Sequence, residues 1–166
     1  MKITNDTEWS EVEKDFELFS DDSQQTLIQH SLSLHNVTDF YELTIAQLIR
    51  MSDGDLSEFE IKDNGKVFEV LFVRELSKFV EQYINILNSY TLPQSADEKA
   101  ASSKCQTMTF GEGVLVFARS YFALHSFEEA ERITLAELLL AKKDAYNSAV
   151  FQKERNEYRN ENKEVS

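Results

Sequence analysis

At 166 residues, 42% of them apolar and 28% charged, the chain fits one domain and can hide roughly 70% of its unfolded surface. Its 4 glycines and single proline argue against a many-stranded sandwich or barrel, and a net charge of −13 disfavours direct contact with DNA or RNA. Cys105 is the sole cysteine, no apolar run reaches the roughly 18 residues of a membrane span, and MKITNDTEWSEVEKDF lacks the order of a signal peptide. The expectation is therefore a soluble, cytoplasmic protein.

The charge is uneven. Residues 1–66 carry 15 acids and 5 bases, a net −10, whereas residues 131–166 carry 7 of each. Such an acidic surface serves solubility or, on a sharper reading, offers a face to a basic partner.

Asp6 or Thr7 is placed to cap a first helix running to about Phe19. Within it Trp9, Val12, Phe16 and Phe19 recur at helical steps and form one apolar stripe among acids. The stripe either closes the protein's own bundle or lies in a partner's hydrophobic groove. QQTLIQHSLSL follows a capping DDS and reads as helix or strand; a third helix follows Thr44 and stops near Asp53-Gly54.

FEIKDNGKVFEV places Asn64-Gly65 between two short alternating runs, so a small β-hairpin near 59–70 is the alternative there. Apolar residues at 68, 72, 76, 79, 83 and 87 favour a long helix over about 67–89. Residues 91–107 are small or polar after Pro93 and read as a flexible internal connection, with Ser95 and Glu98 able to cap one turn. FGEGVLVFARSYFAL from Phe110 is apolar nearly all round, which predicts a central, mostly buried helix. Gly111 and Gly113 would admit a neighbouring backbone. The last helix starts at Leu135 and is amphipathic to about Phe151; residues 152–166 read as a solvated end in which Tyr158 is nearly the only apolar residue.

Three stretches, LTIAQL, MTFGEG and ITLAEL, share one pattern. Thr44, Thr109 and Thr134 are each followed three residues later by Gln47, Glu112 and Glu137, the capping box that starts a helix. Their starts are 65 and then 25 residues apart, so no repeat period exists.

Chemistry is harder to find. DGDLSEFEIKDN superficially resembles a calcium loop, but Glu58 replaces the turn-making glycine and Asn64 the bidentate glutamate. His30, His35 and His125 have no zinc spacing, no nucleophile elbow frames a serine, and phosphate-cradling glycine loops are absent. No cofactor and no enzymatic activity are expected. Arg119, inside the most apolar helix, is the oddest charge, either ion-paired or snorkelling, or else facing a site.

From Thr107 the text TMTFGEGVLVFARSYFALHSFEEAERITLAELLLAKKDAY resembles the closing segment of bacteriophage tail assembly chaperones and other small phage morphogenesis proteins, with Thr134, Glu137, Leu138, Ala145 and Tyr146 carrying the likeness. The resemblance implies a non-enzymatic protein that shields a long helical partner before assembly, or occupies a place in the particle. It would then act in the host cytoplasm or the virion.

The expected fold is all-α, an irregular bundle of about five or six helices forming a single acidic domain over 1–166, with helices near 67–89 and 110–124 at its centre. The expected function is protein binding in assembly, to a structural, coiled-coil or basic protein. Trp9, Val12, Phe16, Phe19, Arg119, Tyr146 and Tyr158 are the candidate contacts. The alternative is an acidic inhibitor that imitates DNA charge against a basic cleft.

Overall fold

The computed structural model describes residues 2–62, 65–95, 99 and 105–164, the last four of these by backbone alone. Among them lie seven α-helices: α1 Trp9–Phe16, α2 Asp21–Leu34, α3 Ile45–Ser52, α4 Val67–Ser89, α5 Phe110–Tyr121, α6 Phe127–Glu131 and α7 Leu135–Glu164. The architecture is all-α, and no strand occurs among the described residues. The hairpin alternative does not form. Ser57–Phe59 is a 3-10 turn, Glu60 is left-handed at φ 53°, and Val67 already begins α4; Asp63 and Asn64 lie outside the described residues.

Helix starts explain much of the architecture. The side chains of Thr44, Thr109 and Thr134 accept from the backbone N–H groups of Gln47, Glu112 and Glu137 at 3.4, 3.3 and 3.3 Å. The longer side chains reach back to the threonine N–H groups at 2.9, 2.7 and 2.9 Å. Each cap satisfies donors that a helix end otherwise leaves open.

Two pairs of helices also begin against each other. The N–H of Ile45 donates to the Ile133 carbonyl at 2.9 Å, and that of Leu135 donates to the Leu43 carbonyl at 2.8 Å. Thr44 and Thr134 thus form an antiparallel bridge between the starts of α3 and α7. The starts of α1 and α4 repeat the arrangement: Trp9 N–H donates to Gly65 at 2.7 Å, and Val67 N–H to Thr7 at 2.9 Å. Here the caps are Glu8 and Lys66, which lack a capping hydrogen bond and instead form an ion pair at 2.6 Å. Asp6 and Thr7 do not cap α1; Thr7 is buried and accepts from the Thr4 N–H at 2.9 Å. Gly65 serves this junction with φ +72°, in the left-handed region that glycine enters without strain.

The core has two clusters. The larger runs from Leu32 to Leu138 and takes in Ile45, Leu48, Phe72, Leu76 and Tyr83. The smaller joins Val12 and Phe16 to Val67, Phe68 and Leu71. Helix α4 lies in both, with α2 packed along it, and Ser31 lets the two approach: its buried hydroxyl donates to the Phe68 carbonyl at 2.6 Å. Tyr83, fully buried, donates to the Leu135 carbonyl at 2.6 Å and ties α4 to the start of α7.

The centre of the larger cluster is α3. This short helix touches α4, α5, α6 and α7, and buries Ile45, Leu48 and Met51. Helix α5 does not hold the central place its sequence predicts. Only Val114 and Ala118 are buried, because neighbours cover one side of it and leave the other bare. Gly111 does allow close approach, though to a side chain: an added Cβ would meet Ile49 Cγ2 at 3.1 Å. Gly113 faces open space.

Residues 96–98 and 100–104 of the expected connection, including Glu98, lie outside the described residues. Helix α7 buries Leu135, Leu138 and Ala141. From Phe151 to Asn160 every residue is exposed, and the helix continues to Glu164. No helix among the described residues is long and apolar enough to cross a membrane.

Candidate functional site

The bare side of α5 forms the wall of a groove. Thr109 starts the helix and fixes Met108 just before it, while one and two turns on come Glu112, Leu115 and Val116. The opposite wall is Phe127, the first residue of α6, held in place because the Ser126 hydroxyl accepts from the Glu129 N–H at 3.2 Å. With Gln106 and Thr107 these residues enclose about 460 Å³. Three large apolar side chains stand open there: Met108 is 56% exposed, Val116 42% and Phe127 43%.

Charge frames the groove. The Thr109 backbone N–H, and then its hydroxyl, hold the Glu112 carboxyl below the ordinary range. Glu128 is likewise lowered, by a backbone N–H and then the Ser126 hydroxyl. Both are therefore anionic at neutral pH. Arg119 is exposed and sits 5.0 Å from the Phe127 ring centroid as a cation–π contact; it forms no ion pair among the described residues and does not enter a buried site. The far side of α5 is occupied: Lys142 lies 4.1 Å over Phe117, its pKa lowered by burial, and the Tyr121 hydroxyl donates to Asp144 at 2.6 Å.

The other candidate residues lie elsewhere. Trp9, Val12, Phe16 and Phe19 face inward onto the smaller cluster, with Trp9–Phe16 and Phe16–Phe19 centroids 5.4 and 5.9 Å apart and Arg74 over Trp9 at 5.1 Å. The stripe closes its own bundle. Tyr146 is half-buried 5.8 Å from Tyr90, and Tyr158 stands exposed on α7. The groove brings none of these together apart from Arg119 at its edge. Its own residues, Met108, Leu115, Val116 and Phe127, were open to a different inference: an apolar surplus around α5 needs more cover than this chain supplies.

A larger cavity of about 530 Å³ opens between residues 54–62, Gly65 and the first half of α4. Glu69 lines it, and its Oε2 is buried with no hydrogen-bond partner among the described residues, but the large apolar side chains there, Leu56, Ile61 and Val73, are only half-exposed. The calcium-like stretch is engaged in local bonds. Asp55 Oδ1 accepts from the Ser57 N–H at 3.0 Å and hydroxyl at 2.6 Å, and Arg50 pairs with Glu58. His30 and His35 pack on Phe68 and Phe72 at 4.7 and 4.2 Å. Among the described residues no group of three His, Cys, Asp or Glu side chains could hold a metal ion.

No family model matches the chain, and no significant match exists among curated proteins or solved structures.

Proposed function

We propose that this protein is a non-enzymatic assembly factor that holds a helical segment of a protein partner in the α5–α6 groove. The carrying observation is the open apolar row of Met108, Val116 and Phe127, with Glu112 lining the same groove. Contiguous exposed apolar surface with a polar rim favours protein contact, and a groove beside a helix suits apolar anchors at helical spacing. The anionic rim selects a partner segment with Lys or Arg beside its anchors. The resemblance of residues 107–146 to phage tail assembly chaperones supports the same reading, since such proteins shield a helical partner before it assembles.

A photocrosslinking side chain at Val116 tests this, with one at Lys78 as control. The proposal expects Val116 to capture a helical, Lys/Arg-bearing protein segment in the native context while Lys78 does not. Equal capture at both sites, or none at Val116, would count against it. The runner-up is an acidic inhibitor of a basic cleft, favoured by the net −10 of residues 1–66. Its binding would collapse with added salt, whereas apolar docking would survive.

A further inference from the structure

The chain carries both halves of such a contact. Beyond Val150, α7 leaves the body as an arm whose residues 151–160 are all exposed. Phe151 is 61% exposed and Tyr158 69%. At about 100° per residue, Leu140, Phe151 and Tyr158 fall within roughly 20° of one line along the helix, so the arm presents an apolar edge. An isolated helical segment of this length is marginal in water, and most helices gain their stability by burying such an edge.

We propose that the groove of one molecule receives the α7 arm of a second copy, with Phe151 as anchor and Tyr158 two turns further on. The inference rests on reading the groove as a helix-docking site. Charge favours this occupant. Residues 151–164 hold four bases and four acids, and Arg155 lies one turn beyond Phe151 on the same edge of the helix, facing the acidic side chain, Glu112, that lines the groove. The arm itself carries no net charge, so its docking adds no repulsion to that between two molecules of net charge −13. Geometry favours a second copy over self-closure. The arm continues α7 as unbroken helix away from the body, so reaching its own groove would require breaking the helix.

A two-fold axis would place each arm in the other's groove, a self-complementary contact. Four aromatic side chains at about 150–250 Å² each, together with the groove surface they cover, reach the roughly 1,000 Å² that a specific interface needs.

Sedimentation equilibrium of the full chain tests it. A reversible monomer–dimer equilibrium is expected in the micromolar range. The double variant F151A/Y158A and the single variant V116E should each weaken it by at least about tenfold while keeping wild-type helicity, since all three positions are exposed. Mixing the two variants should restore part of the association, because one intact arm still meets one intact groove. A monomer at every concentration would overturn the proposal, as would a dimer weakened by F151A/Y158A but not by V116E, which would mean arms pairing with arms. Neither result touches the groove reading: Val116 would still crosslink to another protein if that reading is right.

Discussion

The two ends of the molecule place their aromatic side chains and their charge in opposite ways. Near the N-terminus Trp9, Phe16 and Phe19 lie ring against ring over α4, beneath a surface that carries most of the negative charge. Toward the C-terminus Phe127 is open to solvent, and beyond it Phe151 and Tyr158 stand exposed on a stretch, residues 131–166, with no net charge. The first end is sealed and repels its like; the second is open and does not. Open apolar surface is a commoner mark of a protein contact than charge alone, and acidity by itself directs attention to the sealed end.

The sharpest way to break this comparison is to trim an aromatic at the sealed end. Phe16→Ala should cost about 3–5 kcal/mol in urea unfolding, because the ring is buried between α1 and α4. A loss under 1 kcal/mol would mean α1 is only loosely docked. Tyr83→Phe comes next, at about 1 kcal/mol, for the lost bond to the Leu135 carbonyl. Burial, and then Tyr41, raise this phenol above its ordinary value of 10.0, so the folded state keeps a proton that the unfolded state gives up. Wild-type stability should therefore fall as pH rises through 10, and the Phe variant should lack that share of the decline.

Acid probes the helix starts on the open side. The carboxyls of Glu112 and Glu137 are held below 4.5, chiefly by backbone N–H groups of Thr109 and Thr134. Their contribution is full above 4.5 and is lost as pH falls through the lowered values. Carboxyl titration by NMR should give midpoints below 4.5, and a midpoint above it would show the caps to be open in solution. The smallest effect belongs to Val116→Ala, expected within about 0.5 kcal/mol of wild type because the side chain is already exposed. Equal losses at Phe16 and Val116 would erase the contrast between the two ends.

What sequence could reveal followed from how local each signal is. The capping boxes at Thr44, Thr109 and Thr134 placed three helix starts because cap and reach-back lie within one turn. The apolar progression from Phe68 to Leu87 placed α4 for the same reason. The pairing of Glu8 with Lys66 and of Thr44 with Thr134 joins residues distant in sequence, and no local pattern encodes it. Asp6 and Thr7 lost the cap of α1 to that pairing. α6 carries a weaker relative of the same signal, Ser126 three residues before Glu129, but the helix is only 5 residues long. The exposure of α5 was hidden for a different reason. Hydrophobicity reports what a helix would bury, not whether the chain has anything left to cover it.

The Thr44–Thr134 junction has a practical corollary. It fastens the chain across a span that encloses the stretch between Leu87 and Val114, within which no buried core residue falls among those described. Closing a longer loop is entropically mild, with a doubling in length costing about 0.6 kcal/mol. A peptide tag or fluorophore-bearing insert placed between Pro93 and Cys105, before the groove residues Gln106 and Thr107, should therefore leave both fastenings shut, giving a handle that reports on the protein without disturbing either end.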